Sequence, residues 1–178
     1  MGFVATKNIH PNVAAFLLAI QYAEGTYKYS NPYKILFGGG TFESFEDHPR
    51  IPFKTKWGNT SAAGAYQFMA KIPGFTKLDT WGELKQKLKL KDFSPESQDA
   101  AAIELIRRNG ALNDIINGDF SNGFKKVSKV WASLPGAGYG QPEKSLTKLL
   151  VFINTVALPQ VQVQNLVSKV SDLDKKKR

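Results

Sequence analysis

The chain has 178 residues, of which 42% are hydrophobic and 22% charged, so it can bury the core of about one globular domain. It contains no cysteine and only two histidines, which excludes disulfide scaffolds, zinc ribbons, thiol nucleophiles and histidine-rich metal sites. The 24 Lys and Arg residues against 15 Asp and Glu give a net charge of +9. This charge favours an anionic partner such as nucleic acid, anionic lipid or an acidic polymer.

The first predicted element is a buried helix over Pro11–Glu24. Apolar side chains recur there every three or four residues, Pro11 suits a first helical turn, and Gly25 suits a helix end. Glu24 is therefore the last residue of an apolar helix. The helix dipole and an apolar setting both disfavour the ionised carboxylate and raise its pKa, which is what a general acid requires. An exposed surface glutamate is the alternative interpretation.

Residues 25–60 consist of short aromatic and β-branched runs that are separated by glycine and proline. Three such runs predict a small antiparallel sheet: residues 33–37, 41–45 and 51–56. The triple glycine between the first two runs predicts a hairpin turn. His48 lies in the second connection, and we expect it in a surface turn.

The pattern becomes helical after residue 61. Six further helices are predicted: residues 62–71, 79–90, 95–108, 111–117, 121–133 and one that begins at Pro142. The third of these has the strongest start signal, because Ser94 suits an N-cap and Pro95 a first helical position. A helix, a small sheet and then many helices predict an α+β fold.

Two polar segments are candidate ligand sites. In residues 59–68, Gly64 permits close approach of a ligand, and the Gln67 amide can both donate to and accept from an amide or hydroxyl group. The glycine-rich residues 136–141 around Tyr139 are typical of a ligand-facing loop, although they lack the pattern of a phosphate-binding loop. Tight packing is the alternative for the first segment. Seven aromatic side chains are mostly core candidates, of which one or two can stack on sugar rings: Tyr27, Tyr29, Tyr33, Trp57, Tyr66, Trp131 and Tyr139.

Residues 159–178 form a basic tail that we expect to be peripheral to a catalytic domain of residues 1–158. The last 35 residues carry more than half of the net charge. The tail predicts either an amphipathic helix that binds anionic outer-membrane lipid or a frayed, solvated end. No targeting segment is evident, and no run approaches the about 20 apolar residues that span a bilayer, so we expect a soluble protein.

Several motifs together resemble the phage lambda endolysin family. The matching segments occur in the order of the family: AEGT at 23–26, EDHPR at 46–50, SAAGAYQ at 61–67, LKDFSP at 90–95 with SQDA at 97–100, and WASLPGAGYGQ at 131–141. The resemblance covers roughly residues 13–153. The chain differs from the family in extra residues around 73–81 and in the segment after residue 153.

The resemblance implies a lysozyme-like fold, in which a small sheet lobe and a larger helical lobe flank a cleft. It implies a peptidoglycan lytic transglycosylase with Glu24 as the single general acid and base. Gly64, Tyr66, Gln67 and Tyr139 match cleft positions of such enzymes, and Ser61, with Gln67 and Tyr139, would orient the acetamido group and the sugar hydroxyls. The substrate's own N-acetyl group can stabilise the developing cation, so a second carboxylate is not required.

Two other classes of function stay open at this stage. A hydrolytic muramidase would normally use a second carboxylate, for which Glu43, Glu46 and Asp47 are candidates. A non-catalytic cell-wall-binding or phage tail module would bind peptidoglycan and release nothing. Nucleic-acid binding is not expected, because the charge is concentrated in the tail and no recognition motif is present. We expect a monomer without metal or cofactor that stays in the host cytoplasm until the membrane is permeabilised and then reaches the periplasm and cell wall.

Overall fold

A buried helix forms the centre of the molecule. In the computed structural model, which describes residues 1–177, helix α1 spans Pro11–Glu24, as the sequence predicts. Every side chain from Val13 to Gln21 is buried, because the helix is packed on all sides by other helices and by the loops. Gly25 ends the helix in a left-handed conformation, and its N–H donates to the carbonyl groups of Gln21 and Tyr22.

Four further helices pack around one another and α1. They are α2 at Thr80–Leu88, α3 at Pro95–Arg108, α4 at Leu112–Ile116 and α5 at Phe120–Val127. Asp79 and Ser94 cap α2 and α3, each by accepting a hydrogen bond from a first-turn N–H. The start of α3 confirms the prediction from its capping signal, and α2 begins within one residue of its predicted start. Helix α5 is shorter than predicted, since it ends at Val127. Beyond its end, the indole of Trp131 donates to the Tyr66 carbonyl at 3.0 Å.

The C-terminal part of the chain is one long helical rod. Helix α6 spans Leu146–Phe152, a π-helical segment spans Ile153–Ala157, and α7 spans Leu158–Lys176. Pro159 stands in the first turn of α7, and the wider π turn accommodates its missing N–H. Val161 is buried, and the Gln160 amide donates to the Gly2 carbonyl and accepts from the Tyr27 hydroxyl. The rod begins at Leu146 rather than at Pro142, because Ser145 caps it.

The rod Leu146–Lys176 is the one helix of residues 1–177 that is long and apolar enough to cross a membrane by length and composition alone. Its most apolar window of 18 residues has a mean hydropathy of 1.3, and 28% of that window is buried within the fold. A count of uninterrupted apolar residues does not reveal this feature, because polar residues such as Asn154 and Gln160 interrupt the apolar runs of the rod.

The sheet is smaller than predicted. Strands β1, Phe53–Thr55, and β2, Gly58–Thr60, form an antiparallel hairpin in which Phe53 pairs with Thr60. The two other predicted strands are wrong: short 3₁₀ turns occupy Pro32–Lys34 and Phe37–Gly39, and a single bridge joins Ile35 to Thr41. Strand β2 escaped prediction because glycine and asparagine rarely favour strands.

The helix predicted over residues 62–71 is also wrong. The segment folds back on itself through a bridge between Ala63 and Phe68. Buried side chains satisfy its backbone in place of helical hydrogen bonds, because the Gln98 amide oxygen accepts from the Ala65 N–H at 2.9 Å and the Thr26 hydroxyl donates to the Ala65 carbonyl at 2.7 Å. Sequence periodicity cannot reveal partners that lie 33 and 39 residues away.

Gly64 provides a test of this loop. Its φ is +84°, and an added Cβ would lie against the buried Gln98 amide and the Phe93 ring. Gly64→Ala should therefore lower the free energy of unfolding by about 1–2 kcal/mol for the strained φ and by about 1–3 kcal/mol more for overpacking. Urea denaturation measures the loss. Gly74→Ala is the matched control, because Gly74 has a φ of +73° with open space around it and should show only the first part. Equal losses in the two variants would contradict the packing of this loop.

Candidate functional site

A cavity of about 630 Å³ opens at the C-terminal end of α1. Glu24 lines it from the helical side, and the β1–β2 hairpin lines it from the other side. Further lining side chains come from the end of α3 and from the segment that follows α5: Leu105, Arg108, Asn109, Lys129, Trp131, Tyr139 and Gln141. The cleft between a sheet region and a helical region is thus present in the structure.

Glu24 is the single carboxylate among the lining residues. The three acidic residues that were candidates for a second carboxylate do not line the cavity. Glu43 has a 91% exposed side chain whose nearest cation is Lys34 at 4.0 Å. Asp47 accepts hydrogen bonds from Arg50 at 2.6 Å, the Trp81 indole at 3.1 Å and Lys85 at 3.0 Å. Partial burial alone would raise the pKa of Asp47, but these donors hold it well below its usual range.

The Glu24 carboxyl group has an unusual electrostatic setting. Burial raises its pKa from 4.5 to about 7, because desolvation disfavours the charged form. The Ser133 hydroxyl donates to the Glu24 Oε1 atom at 2.7 Å and partly offsets this rise. A carboxyl group with such a pKa is divided between its acid and its conjugate base near neutral pH, so it can give and take a proton.

Gln67 and Tyr139 line the same cavity as Glu24. The Gln67 Nε2 atom donates to the carbonyl groups of Ile35 and Gly64, and these two hydrogen bonds hold the side-chain amide in place. The backbone of Gln67 has a φ of +51°. The Tyr139 hydroxyl donates to the Lys129 carbonyl at 2.7 Å, and its ring is 53% exposed at the mouth. The structure therefore brings three of the six predicted site residues together.

Ser61, Gly64 and Tyr66 lie behind the cavity wall, and none of them lines the cavity. The Ser61 hydroxyl donates to the Ala70 carbonyl at 2.6 Å and accepts from the Ala70 N–H. The Tyr66 hydroxyl donates to the buried carboxylate of Asp99 at 2.6 Å. These contacts fix the folded-back loop of residues 61–70, which carries Gln67.

A buried polar cluster behind the site was missed from the sequence. Asp99 also accepts from the Tyr33 hydroxyl at 2.7 Å and from the N–H and hydroxyl of Thr6 at 2.8 Å each. Gln98 and Asp99 follow Glu96 and Ser97 at the polar start of α3, so nothing in the sequence pattern indicated their burial. Ser133 carried no signal either, because only the fold brings it to Glu24.

His48 is buried, contrary to the surface turn expected from the sequence. Its Nδ1 accepts from the Arg50 N–H at 3.0 Å, so Nε2 carries the proton and donates to the Phe68 carbonyl at 2.7 Å. Burial lowers the pKa of His48 to about 4. The neutral imidazole therefore joins the backbone of Arg50 to the backbone of Phe68 in the folded-back loop by two hydrogen bonds.

The chain is similar to known proteins over most of its length. A family model described as Endolysin matches residues 14–157. The endolysin of Escherichia phage P2 is 36% identical over 163 residues, which cover 83% of this chain and 94% of that protein. The endolysin of Escherichia phage lambda is 38% identical over 143 residues, which cover 76% of this chain and 85% of that protein.

Solved structures show the same similarity. Bacteriophage lambda lysozyme complexed with a chitohexasaccharide matches with a TM-score of 0.74 and 34% identity, over 84% of this chain and 96% of that one. Another structure of lysozyme from bacteriophage lambda matches with a TM-score of 0.70 and 33% identity, over 88% and 97%. The predicted lysozyme-like α+β fold is confirmed.

Burial of Glu24 predicts a pH-dependent cost in stability. The folded-state pKa of about 7 exceeds the unfolded value of 4.5, so the folded state binds more protons and stability falls as pH rises between these values. Glu24→Gln removes the buried charge and should raise the free energy of unfolding by about 1–3 kcal/mol at pH 8 and change it little at pH 4.5. Urea denaturation at the two pH values measures this. Equal stability of the variant and the original chain at pH 8 would contradict the buried charge.

Proposed function

This chain belongs to the endolysin family, and we propose that it degrades the host cell wall as a lytic transglycosylase. The proposed substrate is the glycosidic bond between N-acetylmuramic acid and N-acetylglucosamine in peptidoglycan. The observation that carries the proposal is one carboxyl group of raised pKa in a cavity that contains no other carboxylate. One acid and base is sufficient when the substrate itself supplies the nucleophile.

The first step uses the protonated form of Glu24, which predominates below pH about 7. Glu24 gives its proton to the glycosidic oxygen while the bond from that oxygen to the anomeric carbon breaks. The N-acetyl group of the muramoyl residue stabilises the positive charge that develops on the anomeric carbon. Burial of Glu24 favours the neutral acid that this step requires.

The second step uses the carboxylate that the first has produced. Glu24 takes the proton of the muramoyl 6-hydroxyl, and that oxygen attacks the anomeric carbon of the same sugar. The product is a 1,6-anhydromuramoyl end, and Glu24 is protonated again. The Ser133 hydroxyl steadies the carboxylate between the two steps through its 2.7 Å hydrogen bond.

Substrate positioning is assigned to the side chains at the cavity. Gln67 uses its fixed amide group to bind the acetamido group, and Tyr139 borders the sugars at the mouth. Trp57, 40% exposed in the β1–β2 turn, offers an aromatic face for a sugar ring. Ser61, Gly64 and Tyr66 do not contact the substrate; they hold the loop that carries Gln67 and so position the Gln67 side chain.

Two alternative functions differ from the proposed one in what happens to the glycosidic bond, which is hydrolysed in the first and left intact in the second. A hydrolytic muramidase would need water in place of the 6-hydroxyl, and its second carboxylate has no candidate in the cavity lining. A non-catalytic wall-binding module has no need for a carboxyl group of pKa about 7 in its cavity.

We further propose that the protein is a monomer that acts on the wall after leaving the host cytoplasm through a permeabilised membrane.

Mass spectrometry of the muropeptides released from Gram-negative peptidoglycan tests the reaction. We expect soluble products that lack one water relative to hydrolysis products. Glu24→Gln should reduce their release by at least roughly 100-fold, because a general acid and base contributes that much. Products with ordinary reducing ends would establish a hydrolase. Binding without release by the original chain would leave only the wall-binding module.

We also propose that the outer half of α7 binds anionic outer-membrane lipid. Five apolar side chains on one face of α7 are each 58–63% exposed: Val163, Leu166, Val167, Val170 and Leu173. Lysines follow at residues 175–177, and Lys169 lies among the apolar positions. An exposed apolar face flanked by cations suits an anionic membrane surface, in which the apolar side chains are buried and the cations meet the headgroups.

Sedimentation with vesicles that contain anionic phospholipid tests this part. The full chain with Leu166→Ser and Val170→Ser should bind roughly tenfold more weakly or worse, because two apolar side chains no longer enter the membrane. Val151→Ser is the control, since Val151 is 53% exposed but lies in α6, outside the outer half of α7. Vesicle binding that is unchanged in the double variant would refute a role of this face.

A further inference from the structure

Arg108 is a cation at the cavity whose role the proposed reaction leaves unassigned. It is the last residue of α3 and lines the cavity that contains Glu24. We propose that Arg108 binds a carboxylate of the peptide stem that peptidoglycan carries on its muramoyl residues. This proposal rests on the proposed function, because it names a second part of the same substrate.

The charge distribution in the cavity supports the assignment. Its charged lining residues are Glu24, Arg108 and Lys129. The Lys129 ammonium is already engaged, because it donates to the carbonyl groups of Gly136 at 3.2 Å and Ala137 at 2.7 Å. Within residues 1–177, no carboxylate forms an ion pair with Arg108 and no acceptor takes a hydrogen bond from it. Its guanidinium is therefore available to a ligand.

The neighbouring Arg107, unlike Arg108, has a carboxylate partner within the fold. Arg107 makes two hydrogen bonds to Glu104, at 2.7 and 2.8 Å, and does not line the cavity. Arg107 and Arg108 both place a cation at the C-terminal end of α3, where it complements the helix dipole. The Asn109 side chain already donates to the Leu105 carbonyl at 2.7 Å. Capping of α3 therefore does not require Arg108 in particular.

The chemistry of the substrate supplies the matching anion. A glycan of N-acetylglucosamine alone is neutral and offers nothing to a free guanidinium except hydroxyl and acetamido oxygens. Peptidoglycan differs by a peptide on each muramoyl lactyl group, and that peptide ends in carboxylates. A guanidinium binds a carboxylate through two parallel hydrogen bonds, so Arg108 is suited to distinguish a peptide-bearing glycan from a bare one.

Binding measurements in a chain that cannot turn over its substrate test the proposal. In the Glu24→Gln background, isothermal titration compares three ligands: a muropeptide tetrasaccharide with its stem peptides, the same glycan stripped by an amidase, and a chitohexasaccharide. Arg108→Gln should weaken binding of the first ligand by roughly threefold to tenfold. It should leave the other two unchanged. Arg108→Lys should restore part of the loss, because it keeps the charge without the planar fork.

Arg107→Gln is the matched control, since it removes one positive charge from the adjacent residue outside the cavity. Equal losses in the two variants would mean that only the overall charge matters and would overturn the proposal. Weaker binding of all three ligands would assign Arg108 to the sugars. Weaker binding of the stripped glycan alone would assign Arg108 to the lactyl carboxylate that the amidase exposes. Either result overturns the stem-peptide assignment. If the background protein binds none of the three, it is the proposed function that fails, before Arg108 is tested.

Discussion

Desolvation of one carboxyl group is the constraint on which the rest of the site depends. Glu24 ends a helix whose side chains are buried on all faces, so its carboxyl group lies where the core meets the cavity. Its pKa rises to about 7 because the charged form loses hydration there, and one hydrogen bond from Ser133 limits the rise. Burial of the ionised form lowers the free energy of unfolding at neutral pH, and the same burial enables the carboxyl group to act as acid and base in turn.

The opposite wall is held by buried polar contacts rather than by regular secondary structure. The loop of residues 61–70 has no helix or extended sheet to fix it. Side chains of Thr26, Gln98 and Asp99 provide that support, through hydrogen bonds to the loop backbone and to the Tyr66 hydroxyl. Because each of these groups is buried, an unpaired partner would cost about 1–3 kcal/mol. The loop is thereby given one conformation, and Gln67 is presented to the cavity.

The sequence predicted those parts of the molecule that local signals determine. The bounds of α1 and the starts of α2 and α3 follow from periodicity and, for α3, from its capping residue, and they place Glu24 at a helix end. The false helix over residues 62–71 arose because alanine, glutamine and methionine favour helices locally. The partners that override this preference are distant in sequence. Ser133 and Arg108 were missed for the same reason, because only the folded chain places them beside Glu24 or its cavity.

Two groups of basic residues that contribute to the net charge of +9 differ in their consequences. The lysines at the end of α7 accompany an exposed apolar face, and this is the surface for which we propose binding to anionic lipid. Arg108 and Lys129 instead border a cavity in which the one carboxyl group is half neutral near pH 7. That cavity is net positive, and a neutral sugar chain gains little from it. Under the proposed function, the charge matters because the peptidoglycan substrate carries anionic groups close to the bond that is cut.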